Sequence, residues 1–314
     1  MAQTSKQFVW GINGHPLTQE AYKQTTWDRQ VLFLKELGIK SYRMDVPLDP
    51  KGVIRHEVKF RKFVNALRES GVSILPVVFP KFNRSDTDSI AVYDMLFNEG
   101  KVFCKRYYHL LDVVEVGNEL EIGLLKKKGT TDGTKAGHYD LAKSRNLMWN
   151  LAAFIDGMKS VKPTIRVSLS LAWTHWYYLE LLKSYGVNYD IIGYHWYDNM
   201  GDITNVVKPY GNFLPKLIAE YDKEIWITEF NIYKGTLTKS VERQNSYLEN
   251  SLSKILQQGI VKGFFFYELF DESALQSKLP HEAHYGLIFE KDLQYYKKPA
   301  FYTYQQFIKR NKSK

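Results

Sequence analysis

Short runs of apolar, β-branched and aromatic residues alternate along this chain with longer stretches of helical period, the pattern of repeated βα units. The strand-length runs are Phe8–Asn13, Ser41–Val46, Ser73–Phe79, Val113–Gly117, Arg166–Leu171, Ile191–His195, Ile225–Thr228 and Gly263–Tyr267. Each is followed by a helical stretch, clearest over Trp27–Leu37, Val58–Glu69, Asp140–Ser160, Val206–Tyr221, Val241–Gln257 and Ala300–Ile308. Gly38, Gly71, Gly186 and Gly259 fall just past helical runs, where a left-handed residue can cap the last turn.

Such a series predicts an α/β fold, either a closed (β/α)8 TIM barrel or an open doubly wound sheet. A chain of 314 residues could hold two ordinary domains, but barrels of about 250 residues fold around one core. No linker or short-period repeat divides the chain, so a single domain over residues 1–314 is expected. The first strand runs through Gly11-Ile12-Asn13-Gly14 into His15-Pro16 rather than into a helix, which is not a dinucleotide-binding fingerprint. The longest insertions, Leu120–Gly137 and Phe270–Pro299, follow strands four and eight, at the end of a barrel where active sites form.

Composition refines this picture. Apolar residues at 44% and charged residues at 25% belong to an ordinary globular protein and exclude disorder. The 22 Tyr and 7 Trp exceed what a core needs and suit flat surfaces that are both apolar and hydrogen-bonding, such as sugar faces. A net charge of +9 favours anionic partners, but Lys and Arg are scattered, clustering only at Lys126–Lys128 and Lys309–Lys314. Nucleic acid is therefore not expected; a solvated basic surface is, with an acidic glycan kept among the candidate substrates. Cys104 stands alone and permits no internal disulfide. No apolar run approaches about 18 residues, so no membrane span is expected. Met1–Lys6 lacks the apolar stretch of a secretory signal, which fits a cytoplasmic protein, or a secreted or periplasmic one whose leader has been removed. Nothing in the pattern sets an oligomeric state.

Two strand ends carry chemistry. Val114-Glu115-Val116-Gly117-Asn118-Glu119 ends in an amide beside a carboxylate, and Ile225-Trp226-Ile227-Thr228-Glu229-Phe230 ends in another carboxylate. As strands four and seven of one barrel they open into the same bowl. Carboxylates facing each other across a pocket suit glycosidic cleavage, one protonating the leaving oxygen while the other attacks the anomeric carbon. Glu115 shares a strand face with Glu119 and is expected lower in the barrel, paired with a cation such as Arg43. Glu268, Asp271 and Glu272 read as solvated loop carboxylates, and His15, His175 and His195 lack the spacing of a metal site. Neither metal nor cofactor is expected. Trp173 and Trp176 could stack on a sugar or pack in the core.

Gly117-Asn118-Glu119 and Thr228-Glu229-Phe230 resemble the signature of glycoside hydrolase clan A, the retaining barrels that include families 5, 39, 51 and 53. Tyr42-Arg43-Met44-Asp45, Tyr194-His195-Trp196-Tyr197 and His284-Tyr285-Gly286-Leu287-Ile288 with Lys298-Pro299-Ala300 extend the likeness over nearly the whole chain. The resemblance implies Glu119 as general acid and then general base, with its pKa raised in the free protein, and Glu229 as nucleophile. It also implies Asn118 at the sugar 2-hydroxyl, Arg43 as a cation beside Glu229, and His195 and Tyr197 in the pocket, with Tyr197 donating to Glu229. Strand alternation sends His195 and Tyr197 to one side and Trp196 to the other. Many relatives place a tryptophan at the end of strand eight. Here Phe266-Tyr267-Glu268 stands there, so the sugar platform falls to Tyr267, joined by Trp173. Val78-Phe79-Pro80-Lys81 lacks the histidine common after strand three in family 5, which favours a family 39-like or unassigned branch.

The function expected is retaining hydrolysis of β-glycosidic bonds in an oligo- or polysaccharide. Transglycosylation on the same fold and a non-catalytic carbohydrate-binding barrel are the alternatives. Phosphate or Schiff-base barrel chemistry would want a glycine-rich loop after strand seven, and Asn231-Ile232-Tyr233-Lys234-Gly235 has one glycine.

Overall fold

The computed structural model describes residues 8–82, 89–128, 131–206 and 211–311. Its strands β1 (Val9–Gly14), β2 (Ser41–Pro47), β3 (Ser73–Phe79), β4 (Val113–Val116), β5 (Arg166–Ala172), β6 (Ile191–Tyr197), β7 (Glu224–Asn231) and β8 (Gly263–Phe266) form a closed barrel in sequence order. All neighbours are parallel, and β1 closes the ring on β8 through Val9 opposite Gly263 and Ile12 opposite Phe266. The open-sheet alternative is thereby removed.

Around it run α1 (Glu20–Gln24), α2 (Trp27–Leu37), α3 (Glu57–Glu69), α4 (Ser89–Tyr107), α5 (Leu141–Val161), α6 (Tyr177–Ser184), α7 (Leu214–Tyr221), α8 (Val241–Gln258) and α9 (Pro299–Arg310). Side-chain oxygens of Thr26, Asp140 and Ser240 accept from backbone N–H groups in the first turns of α2, α5 and α8, satisfying donors the helix leaves free. Gly38 and Gly259 end α2 and α8 in the left-handed conformation expected of them. One helix is shorter than its periodicity suggested: α7 starts at Leu214 rather than Val206. Val206 instead bridges Gly211, and Pro215 occupies the first helical turn. Residues 207–210 of that expected helix lie outside the described residues.

The barrel interior is built in layers. Leu75, Ile191, Trp226 and Phe265 form an apolar floor. Above it lies an ionic layer of Arg43, Glu115 and Ser168. At the mouth, the segment after β4 folds into a 3-10 turn at Leu120–Leu124. The one after β8 carries turns at Ser273–Leu275 and Glu282–His284 and a hairpin, β9 (Ile288–Lys291) with β10 (Gln294–Lys297). Among the described residues no helix is long and apolar enough to cross a membrane.

Candidate active site

Glu229 reaches the barrel interior because β7 is irregular. Trp226 packs in the floor, so strict two-residue alternation would turn Glu229 outward. The register against β6 slips by one residue, with Tyr194 opposite Ile227 but His195 opposite Glu229. This bulge at Thr228 lets Glu229 point inward, while Phe230 stacks outside against Tyr247 of α8.

Glu119 arrives differently. β4 ends at Val116, and the chain turns through Gly117 at φ 74° to Glu119 at φ 44°. A Cβ at Gly117 would lie 2.4 Å from the Leu120 side chain, so the turn needs glycine there. Left-handed backbone at a glutamate costs of order 1–3 kcal/mol, and the bond from Glu119 N–H to Ser170 Oγ at 3.1 Å helps hold it.

Carboxylate oxygens of Glu119 and Glu229 and a ring nitrogen of His195 lie within 4.8 Å of one another. His195 Nδ1 is 2.8 Å from Glu119 Oε1 and 3.5 Å from Glu229 Oε2. These three atoms have the spacing of a cation site, and Arg43 already supplies positive charge there. Its Nη1 donates to Glu229 Oε1 at 2.7 Å and Asn13 Oδ1 at 2.6 Å; its Nη2 donates to Glu115 Oε1 at 2.5 Å and Asn118 Oδ1 at 2.7 Å. Burial works against the Arg43 charge, yet Glu115 and Glu229 hold its pKa above the ordinary value. Tyr197 donates its hydroxyl proton to Glu229 Oε2 at 2.8 Å.

Glu119 departs from expectation in its titration. Burial raises its carboxyl, but the hydrogen bond from His195 and the charges of His195 and Arg43 bring the pKa below the ordinary value. For His195, burial lowers the pKa, and the Glu229 charge and the Glu119 hydrogen bond and charge more than reverse it.

Glu119, Glu229, Arg43, Asn118 and Tyr197 line a cavity of about 980 Å3 together with His15, Asp45, Trp173, Tyr267, Glu282 and Tyr285. Of the residues singled out from sequence, Glu119, Glu229, Arg43, Asn118, Trp173, Tyr197 and Tyr267 all line it. His195 is fully buried and does not line the cavity; its Nδ1 touches the carboxylates of both Glu119 and Glu229. Trp173 adopts φ 48° at the rim, whereas Trp176 packs on Phe213. Glu115 lies in the ionic layer with Arg43, as its strand position indicated.

Glu268 and Glu272 are not solvated: both are buried, and Glu268 Oε2 accepts the Tyr22 hydroxyl at 2.6 Å. Asp271 pairs with buried Lys298 at 2.8 Å. Glu268 and Glu272 are covered by residues that follow β1, Tyr22 and His15 at Glu268 and the Ala21 N–H at Glu272, contacts that strand period alone does not disclose. His15 also escaped notice as a site residue. It follows β1 with its Nδ1 2.8 Å from Asp45 Oδ2 and its Nε2 3.5 Å from Glu268 Oε2. Burial lowers its pKa, but the Asp45 and Glu268 charges push it up to about 9. Its position directly after a strand end was the signal that could have found it.

Residues 142–284 match the family model described as glycosyl hydrolase catalytic core. That segment holds Trp173, His195, Tyr197, Glu229 and Tyr267, but covers less than half of the chain. No curated protein matches in sequence. Among solved structures, a family 1 β-glucosidase from Thermotoga maritima superposes with a TM-score of 0.70 at 13% identity, covering 97% of this chain and 98% of that one. A hyperthermophilic β-glucosidase from Pyrococcus furiosus gives 0.70 at 12% identity over 99% and 96% of the two chains. The GH1 β-glucosidase from Exiguobacterium antarcticum gives 0.68 at 13% over 100% and 99%. At such identities the likeness establishes the barrel fold, and the family match supports glycoside hydrolase chemistry within it.

Proposed function

We propose that this protein is a retaining β-glycoside hydrolase of clan A, with Glu229 as nucleophile and Glu119 as general acid/base. The observation that carries this reading is the approach of their carboxylate oxygens to within 4.8 Å. Retaining enzymes hold the pair about 5–5.5 Å apart, whereas inverting ones leave about 6.5–9.5 Å for a water. Substrates are β-linked oligo- or polysaccharides. The absence of a strand-three histidine at Val78-Phe79-Pro80-Lys81 favours a family 39-like branch over family 5.

In the first step Glu229 attacks the anomeric carbon while Glu119 gives its proton to the departing glycosidic oxygen. Glu119 needs that proton, and a bound substrate helps it keep one. Its side chain is 25% exposed to the cavity, so a sugar that displaces water adds to the burial that opposes the lowering by His195 and Arg43. Arg43 and Tyr197 hold both oxygens of Glu229 in a fixed plane for attack. Once Glu229 is esterified its negative charge is gone, and Glu119 can accept the proton of an incoming water. Asn118, fixed by Arg43 through its Oδ1, has its amide N–H2 left to donate to the 2-hydroxyl, where bonding strengthens in the transition state.

The test is the anomeric configuration of the first product, followed by proton NMR during hydrolysis of a β-glycoside. Initial β-anomer is expected; initial α-anomer would remove the double-displacement mechanism.

A further inference from the structure

The net charge of +9 invites an acidic glycan, but charge on a surface says little about charge in a pocket. Among the described residues lining the cavity Arg43 is the only arginine and there is no lysine. Arg43 is committed to Glu115 and Glu229. The sugar to be transferred to Glu229 has its leaving group at Glu119, so its ring extends away from β4, toward the ends of β8, β1 and β2 across the closed ring. The wall there presents Tyr267, His15, Asp45 and Glu282.

His15 is also committed. Its Nδ1 is paired with Asp45 at 2.8 Å, and its ring is held edge-on between Tyr22 and Tyr267. Glu268 stands behind it at 3.5 Å and is itself fixed by Tyr22. Asp45 and Glu282 retain 28% and 33% side-chain exposure, so both border the cavity as accessible carboxyl groups. Glu282 receives the Tyr267 hydroxyl at 3.5 Å and lies 3.5 Å from half-exposed His281. A carboxylate brought to this wall would meet two acidic groups and, among the described residues, no basic group without a carboxylate partner. Sugar hydroxyls, by contrast, are donors and would find acceptors there.

We propose that the glycone site beside Glu229 is specific for an uncharged sugar, recognised through hydroxyl donation to Asp45 and Glu282, with His15 positioning Asp45, and that uronic acid units are excluded from it. This rests on the reading of Glu119 and Glu229 as the catalytic pair. Like charges placed together across a binding site cost several kcal/mol, which corresponds to discrimination on the order of 100-fold.

The experiment compares neutral β-linked gluco-, xylo- and galacto-oligosaccharides with their C6-oxidised and amino-sugar counterparts. Binding to the full chain is measured on an array, and hydrolysis with the matching nitrophenyl β-glycosides. Neutral sugars are expected to be favoured over uronides by on the order of 100-fold. Glu282→Gln and Asp45→Asn should each narrow that ratio about tenfold, with Glu282→Gln, the more exposed change, guarding against a folding defect in the other. Equal or stronger binding of uronides, a preference for amino sugars, or variants that leave the ratio unchanged would overturn the proposal. Selective binding of neutral sugars with no cleavage would refute the hydrolase reading while leaving this one standing. Failure to bind or cleave any glycan would refute both.

Discussion

Arg43 Nη1 lies 2.7 Å from Glu229 Oε1, joining the carboxylate at the end of β7 to a cation rooted in β2. The same guanidinium reaches Glu115, Asn118 and Asn13, so it fixes one geometry for groups from β1, β2, β4 and β7. A planar fork can do this and an ammonium cannot.

Replacing that fork should therefore be costly. Arg43→Met would leave fully buried Glu115 without its cation and nearly buried Glu229 with His195 alone, a loss of about 3–5 kcal/mol. Urea unfolding would register it as a lowered midpoint. Arg43→Lys keeps the charge but not the four contacts, and should fall between wild type and Arg43→Met. A midpoint unaltered in Arg43→Met would show that the ionic layer contributes nothing to stability.

Glu119→Gln removes the proton donor without changing shape. Hydrolysis of substrates with poor leaving groups should slow about 10²–10⁴-fold, whereas glycosylation by a dinitrophenyl glycoside, which needs little protonation, should change far less. Steady-state and burst kinetics on both substrates distinguish these. Equal losses on the two would assign Glu119 a structural rather than an acid/base role.

Much of this arrangement is legible in the sequence. Seven of the residues named from sequence line one cavity, because strand ends in a closed parallel barrel converge whatever their separation along the chain. What could not be read there is backbone irregularity. Glu229 points inward only through the bulge at Thr228, and Glu119 only through positive φ at Gly117 and at its own Cα. The burial of Glu268 and Glu272 was equally hidden, since it depends on contacts with Ala21, Tyr22 and His15 from the far end of the sequence. The downward shift of Glu119 reflects His195 at 2.8 Å, a contact between β6 and the end of β4 that no local pattern encodes.

His15 makes stability pH-dependent with a defined sign. Its pKa is raised from 6.5 to about 9 on folding, so its contribution is fully present below the unfolded value and is lost as pH rises through about 9. Thermal midpoints should decline between pH 7 and pH 10, and His15→Gln should flatten that decline. A variant with the same slope as wild type would exclude His15 as its source.

The central claim is that Glu229 becomes covalently attached to a sugar. Incubation with a 2-deoxy-2-fluoro β-glycoside of a neutral sugar that the protein cleaves, then peptide mapping by mass spectrometry, tests it directly. One label per chain is expected, on Glu229. A label on any other residue, or inactivation without one, would contradict it.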